Sequence, residues 1–131
     1  MKKYAGVIVR KDNKCLFCKR NANLKNFGGE WSIPGGKVEP DEEIPNAAQR
    51  EFQEETDLEL NPDLEFVGFV TKFKRGGEKK GHMFVFSQEI NKKVFPNLES
   101  ARDGFEHTEC KYFDIDNLPE TNQNKGLIDL I

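Results

Sequence analysis

Three features are scarce in this sequence of 131 residues: cysteine, long apolar runs and an excess of positive charge. No apolar stretch approaches the roughly 18 residues that a membrane-spanning helix needs, so we expect no membrane contact. The formal net charge is −3, whereas proteins that bind nucleic acids stably usually carry a net positive charge. We therefore expect no stable nucleic-acid partner. Because the three cysteines are sparse and odd in number, and no export signal is recognisable, we expect a reducing, cytoplasmic location.

Two of the cysteines, Cys15 and Cys18, match the CxxC spacing of metal and redox sites. The segment is typical of a strand, in which positions i and i+3 face opposite sides of a sheet. No second CxxC pair is present to complete a zinc site. We therefore expect neither a metal nor a redox role for these residues.

Aromatic residues are plentiful by contrast, with eleven phenylalanines in a chain that is 36% hydrophobic. This supplies enough large apolar side chains for a folded core, and the length fits one domain over residues 1–131. A basic run near Lys72–Lys80 has two interpretations: a solvated hairpin tip, or a patch that attracts phosphates.

The pattern along the chain predicts a layered α/β domain with a mixed sheet. Asp12 and Asn13 indicate a hairpin, and Asn91–His107 is a long irregular segment of the kind that often forms a functional loop. Strands are predicted at Tyr4–Arg10, Lys14–Arg20, Leu64–Arg75, His82–Ile90 and Glu109–Ile115, and helices at Glu43–Thr56 and from Asn122 to the end.

The predicted central helix carries Glu51, Glu54 and Glu55 at positions i, i+3 and i+4, on one arc of its surface. Three like charges there repel one another, and Arg50 can neutralise only part of them. A divalent cation would remove the imbalance, and carboxylate oxygens suit Mg²⁺ or Mn²⁺. The alternative for three glutamates alone is a solvated acidic face.

A tight turn, Pro34-Gly35-Gly36, precedes this helix. Glycine lets the backbone approach a ligand closely and leaves its carbonyl oxygens available as hard ligands. A turn of this kind beside an acidic helix favours a small oxygen-lined cradle over the solvated face.

The segment Gly36–Leu58 resembles the Nudix box, which is Gly, five residues, Glu, seven residues, then Arg-Glu-apolar-any-Glu-Glu-any-Gly-apolar. Asp57 stands where the family has its last glycine, and we expect it to close the helix in the left-handed conformation at a cost of roughly 1 kcal/mol. The matching positions are Gly36, Glu42, Arg50, Glu51, Phe52, Glu54, Glu55 and Leu58.

The resemblance implies an α/β/α sandwich with a mixed sheet, and hydrolysis of a phosphoanhydride bond in a nucleoside diphosphate linked to another group. Water would attack phosphorus and release a nucleoside monophosphate. By position, Arg50 would orient the glutamates and Glu42 would support it. The implied metal ligands are Glu51, Glu54 and Glu55, with a carbonyl of Gly35 or Gly36.

The general base stays open between Glu51 in the box, Glu109 before the last strand, and Glu106. For the substrate, Arg20 matches a phosphate-contacting arginine of MutT-like members, and Asn122 matches an asparagine that contacts a purine edge. Solvated strand end and helix cap are their alternatives. The aromatic candidates for base stacking are Phe27, Phe73 and Phe84, whereas we expect His82 and His107 to be structural or exposed.

The leading functional hypothesis is a MutT-like nucleoside triphosphate pyrophosphohydrolase, a monomer or homodimer that binds a small nucleotide. Within the same chemistry, ADP-ribose or nucleotide sugars, diadenosine polyphosphates and RNA caps are alternative substrates. A different class is an inactive Nudix domain that binds nucleotides. The complete set of box glutamates favours an enzyme.

Overall fold

The computed structural model describes residues 2–131. Eight strands, one α-helix and two short 3₁₀ helices follow one another along these residues. The strands are β1 (Lys2–Lys11), β2 (Lys14–Arg20), β3 (Trp31–Ser32), β4 (Gly35–Lys37), β5 (Glu65–Phe73), β6 (Lys79–Glu89), β7 (His107–Asp114) and β8 (Asn124–Lys125). The α-helix, α1, is Ile44–Thr56, and the 3₁₀ helices are Gly104–Glu106 and Leu127–Leu130.

The strands form one mixed sheet in the order β3-β2-β1-β6-β5-β8, with β4 also paired to β1 and β7 to β2. Among the strands of residues 2–131, only β1 and β6 pair in parallel. Strands β1 and β2 pair near their hairpin, where Lys11 faces Lys14, and then separate because β4 takes the place of β2 beside β1. The sheet therefore splits into two halves, and a cleft opens between them.

Alternating side chains of β1 fill two cores on opposite faces of the sheet. Ala5, Val7 and Val9 pack with Phe52 of α1 on one face, and Tyr4 belongs to the core on the other face. Phe52 is fully buried, which contributes about 1.5–3 kcal/mol to stability. Leu127, from the terminal 3₁₀ helix, closes the second core.

The predicted α/β sandwich is confirmed, with α1 on one face of the mixed sheet. On the other face the second helical layer is a single 3₁₀ turn, so the predicted helix from Asn122 to the end is wrong. Asn124 and Lys125 pair with β5 instead, and Gly126 adopts a left-handed φ of 92° that prevents a continuous helix. Within residues 2–131, no helix is long and apolar enough to cross a membrane.

The cysteines differ from expectation in one respect. Cys15 and Cys18 do lie on opposite faces of β2, as predicted, and Cys15 is a buried free thiol. Cys18, however, faces Cys110 of β7 at a Cα–Cα distance of 4.0 Å, and the two form a disulfide. Since 92 residues separate them, only strand pairing reveals the pair. The cysteine count therefore gives no basis for inferring a reducing compartment.

Helix α1 begins one residue after its predicted start, with a proline in its first turn. It ends at Asp57, whose φ of 60° and ψ of 28° confirm the left-handed conformation expected there. The Asp57 N–H donates to the carbonyl of Gln53 at 2.8 Å. The hydroxyl of Ser100 donates to the Asp57 carboxylate, so this residue also fastens the loop 91–106 to the helix end.

Replacing Asp57 tests this helix end. We expect Asp57→Ala to lower the free energy of unfolding by about 1–2 kcal/mol, because alanine tolerates the left-handed conformation poorly and loses the Ser100 hydrogen bond. Asp57→Gly should stay within about 1 kcal/mol of the wild type, since glycine relieves the strain. Urea unfolding measures both. An alanine variant as stable as the glycine variant would show that the conformation at this position carries no strain.

Candidate active site

The glycine turn packs directly against the acidic face of α1. Strand β4 is fixed to β1, with Gly35 opposite Gly6 and Gly36 opposite Ala5. The Gly35 N–H donates to Oε1 of Glu55 at 2.8 Å, and the carboxylate of Glu51 lies against the Cα of Gly36, where a Cβ would overlap it. The cradle predicted from the sequence is therefore formed by these two glycines and two glutamates.

Arg50 organises the carboxylates around this cradle. Its Nε and Nη2 donate to the two oxygens of Glu42 at 2.7 and 2.9 Å, a bidentate pair. Its Nη1 donates to Glu51 at 3.0 Å and to Glu54 at 2.9 Å. The hydrogen bond with Arg50 lowers the pKa of Glu42, and the same bond raises the pKa of Arg50. Arg50 and Glu42 thus hold the box glutamates in place.

Burial disfavours the ionised form of two of the glutamates. Glu55 is 3% exposed, and burial raises its pKa well above the usual range, with the charge of Glu106 raising it further. Burial also raises the pKa of Glu51, although Arg50 opposes this shift. Hydrogen bonds within residues 2–131 leave Oε2 of both Glu51 and Glu55 without a donor. These free, poorly solvated oxygens suit a hard cation.

The loop 91–106 docks onto the end of α1 and brings new residues to the site. The N–H of Asn97 donates to the carbonyl of Thr56 at 2.9 Å, and that of Asp103 to the carbonyl of Glu54 at 2.7 Å. Arg102, which the sequence did not indicate, donates to Oε2 of Glu54 at 2.9 Å. Both oxygens of Glu54 are therefore engaged by arginines in this conformation.

In this conformation, no three acidic, imidazole or thiol side chains of residues 2–131 converge closely enough to enclose a metal ion. Glu54 would have to leave Arg102 before it could bind one. The Arg102 side chain is 76% exposed, so this exposed ion pair is weak and easily replaced. The donor set thus fits a divalent cation, with Glu54 as the ligand that must move.

The structure places Glu106 and Glu109, the two candidates for the general base that follow the box in sequence, in different surroundings. Glu106 ends the 3₁₀ helix Gly104–Glu106, and it lies near enough for its charge to raise the pKa of Glu51 and of Glu55. Burial, followed by the charge of Asp103, raises the pKa of Glu106 itself. Glu109 is exposed on β7 opposite Lys19. A bulge between Lys19 and Arg20 separates the two positions.

The three substrate candidates come from the end of β2, the loop that follows it, and the terminal segment. Arg20 is half-buried and donates to the carbonyl of Asn26 at 3.0 Å, and its charge opposes the raised pKa of Glu55. Phe27 and Asn122 line the same small cleft of about 190 Å³. The other residues of this cleft are Phe73, Lys74, Arg75, Gly77 and Lys125.

Phe84 and the two histidines lie outside this cleft. Phe84 packs against the core on the α1 face of the sheet and stacks with the exposed Phe66 and Phe69 of β5. His107 is buried, and burial lowers its pKa to about 4, so its ring is neutral at pH 7. His82 packs its edge against Phe69, 5.5 Å between ring centroids.

Comparisons with known proteins agree with this architecture. The family model for the NUDIX domain matches residues 2–131. An RNA pyrophosphohydrolase of Pelagibacter ubique is 31% identical over 130 residues, covering 87% of this chain and 76% of that protein. An ADP-ribose pyrophosphatase of Methanocaldococcus jannaschii is 33% identical over 115 residues, covering 86% of this chain and 62% of that protein.

Solved structures share the fold. A MutT NUDIX hydrolase from Burkholderia pseudomallei superposes with a TM-score of 0.76 at 22% identity, covering 99% of this chain and 97% of that one. The NUDIX domain of Shewanella oneidensis NrtR, crystallised with ADP ribose, superposes with a TM-score of 0.72 at 17% identity, covering 98% and 84%. The glycine turn, the acidic helix and the family match over nearly the whole chain together show that this protein belongs to the Nudix hydrolase family.

Proposed function

We propose that this protein hydrolyses a phosphoanhydride bond in a nucleoside diphosphate linked to a further group, and that a nucleoside triphosphate is its preferred substrate. The observation that carries the proposal is a pair of carboxylates, the buried Glu55 and the half-buried Glu51, held against a glycine turn with one free oxygen each. Water would attack phosphorus, and the products would be a nucleoside monophosphate and pyrophosphate.

We propose Mg²⁺, with Mn²⁺ as a substitute, as the ion held by Glu51, Glu54 and Glu55, and a carbonyl of Gly35 or Gly36 as a further ligand. When bound, such an ion neutralises charge on the phosphoryl oxygens and lowers the pKa of its bound water. Arg50 keeps the glutamates oriented through its bonds to Glu51 and Glu54. The fixed position of Glu51 reduces the reorganisation that catalysis would otherwise require, whereas Glu54 must first leave Arg102.

We propose Glu106 as the general base. A base must lie within hydrogen-bond reach of the attacking water, and Glu106 lies beside the glutamates that would hold the ion. Loop 91–106 fixes it there through the backbone bond between Asp103 and Glu54. Glu51, already bonded to Arg50, is the second candidate, and the exposed Glu109 the third.

The nucleobase is proposed to enter the cleft lined by Phe27, Phe73 and Asn122. Aromatic rings stack on any base, whereas an asparagine amide can donate to and accept from a purine edge. The cleft of about 190 Å³ suits one base better than a second nucleoside. Its size favours a nucleoside triphosphate over a diadenosine polyphosphate.

Two alternative substrates have support from relatives. The similarity to the RNA pyrophosphohydrolase of Pelagibacter ubique suggests RNA, and the similarity to an ADP-ribose pyrophosphatase suggests ADP-ribose. An inactive nucleotide-binding domain is the alternative of another class. It is disfavoured because Glu51, Glu54 and Glu55 are all present, and Glu51 and Glu55 contact the glycine turn.

Product analysis tests the proposed function directly. The wild type and Glu55→Gln would be incubated with nucleoside triphosphates, ADP-ribose, diadenosine polyphosphates and a 5′-triphosphorylated oligoribonucleotide, with Mg²⁺ and with chelator. We expect the wild type to release nucleoside monophosphate and pyrophosphate from triphosphates when Mg²⁺ is present. Glu55→Gln should lose turnover by orders of magnitude while remaining folded. Binding without turnover across the whole panel would instead support the inactive domain.

The assignment of the base predicts different effects for two glutamates that lie three residues apart. Glu106→Gln should lower kcat by about 10²- to 10⁴-fold, because the amide cannot accept the proton. Glu109→Gln is the matched control and should remain within about twofold of the wild type, since its side chain is exposed on β7. Steady-state kinetics with Mg²⁺ measures both. The reverse pattern would transfer the role to Glu109.

The two glycines of the turn should respond differently to alanine. A Cβ at Gly35 would lie 2.5 Å from the carbonyl oxygen of Ala5, so Gly35→Ala must move backbone and should destabilise the fold by about 2 kcal/mol or more. A Cβ at Gly36 meets the movable carboxylate of Glu51 instead. Gly36→Ala should therefore keep the melting temperature and weaken Mg²⁺ binding, measured by calorimetry. Unchanged affinity for Mg²⁺ would remove Glu51 from the ligand set.

A further inference from the structure

A lysine of β5 is buried near the candidate site. Lys72, near the end of β5, is 9% exposed. Its Nζ donates to Gln123 and to Asn124, each at 3.3 Å, and stands 5.3 Å from the centre of the Tyr4 ring. Burial, together with the charges of Lys80 and Arg20, lowers the pKa of Lys72 to about 7.

The groups that hold Lys72 are themselves fixed. Asn124 is fully buried and donates from Nδ2 to the hydroxyl of Ser32 at 3.0 Å. The N–H of Gln123 donates to the carboxylate of Glu30 at 3.1 Å, and β8 is paired to β5 beside Lys72. The ammonium group is therefore held in one place by a network that joins both halves of the split sheet.

The neutral amide oxygens of Gln123 and Asn124 do not offset the free-energy cost of burying the charge of Lys72. Within residues 2–131, no carboxylate lies within 4.0 Å of a nitrogen of Lys72, Lys80 or Arg20. A buried lysine without an ionic partner destabilises a protein. An ammonium group has three donors, and the two hydrogen bonds to Gln123 and Asn124 leave one N–H for another acceptor.

The surrounding charges indicate an anion as that acceptor. Lys80 also lies 5.3 Å from the centre of the Tyr4 ring, so the ammonium groups of Lys72 and Lys80 both lie near this ring. A bulge between Lys72 and Phe73 shifts the register of β5 and β6 next to Lys80. Arg20 is close enough to lower the pKa of both lysines. Three cations therefore gather in a chain whose net charge is −3.

We propose that Lys72 is a substrate-binding residue whose ammonium group contacts a phosphate of the polyphosphate chain, together with Lys80 and Arg20. The charge of Glu55 acts on Lys72, so the contact lies next to the candidate metal site. A neutral base carbonyl would satisfy one N–H but would leave three cations uncompensated. The proposal rests on the proposed function for its substrate. It identifies Lys72 as the residue that distinguishes polyphosphates from singly phosphorylated nucleotides.

Calorimetric binding of inorganic pyrophosphate in the presence of Mg²⁺ tests the proposal without requiring turnover. Lys72→Met should weaken pyrophosphate binding by about 10- to 100-fold, the loss expected for a charged hydrogen bond. Lys72→Arg, which keeps the cation, should restore most of it. Lys79→Met removes an exposed lysine of the same hairpin and should bind pyrophosphate as the wild type does. A nucleoside monophosphate should lose less affinity in Lys72→Met than pyrophosphate does.

Two outcomes would overturn the proposal. One is unchanged pyrophosphate affinity in a folded Lys72→Met protein, and the other is an equal loss in Lys79→Met. Should Lys72→Met fail to fold, the Cε resonances of Lys72 in the wild type decide the matter: a shift on adding pyrophosphate supports the contact, and no shift refutes it. Pyrophosphate binding through Lys72 in a protein that hydrolyses nothing would contradict the proposed function and leave the phosphate contact standing.

Discussion

The contact between the glycine turn and the acidic face of α1 determines the rest of the site. Gly35 donates its N–H to a carboxylate that is almost completely buried, which a protein tolerates only where something else stabilises the charge. The turn is held beside this carboxylate because β4 is paired to β1. The two strands approach so closely that any side chain at Gly35 would strike the backbone of β1. The fold therefore imposes the electrostatic strain that a bound cation would relieve.

Elements that are distant in sequence complete the site around this contact. Loop 91–106 is joined to the end of α1 by backbone hydrogen bonds, and it carries Arg102 and Glu106 to the glutamate cluster. The terminal segment places Asn124 against Lys72 through β8. The basic groups Arg20, Lys72 and Lys80 thus lie near the buried carboxylate of Glu55. A polyphosphate bound with a divalent ion has the matching distribution of charge.

The sequence predicted those parts in which local pattern decides the structure. Alternation located β1, β2, β5, β6 and β7, whereas the short strands β3, β4 and β8 were not predicted. A proline and the box located α1 to within one residue, and Asp57 adopts the expected left-handed conformation. The terminal helix was wrong because Gly126 and the pairing with β5 outweigh the apolar spacing of Leu127 and its neighbours. Features set by residues distant in sequence could not be predicted from the local pattern. They are the bulge that separates Glu106 from Glu109, the partners of Arg102, and the burial of Lys72.

We infer that the buried charge of Glu55 destabilises the metal-free fold and that a divalent ion removes this cost. Folding raises the pKa of the Glu55 carboxyl, so the folded protein holds a proton that the unfolded protein releases. The free energy of unfolding should therefore fall as pH rises from the pKa of the unfolded state, near 4.5, through the pKa of the folded state. The decisive measurement is the free energy of unfolding of the wild type and Glu55→Gln between pH 5 and 8, with Mg²⁺ and with chelator. We predict that Mg²⁺ stabilises the wild type at pH 8 by about 3 kcal/mol at 100 times its Kd, and Glu55→Gln far less. Equal stabilisation of both proteins by Mg²⁺, or of neither, would contradict the account.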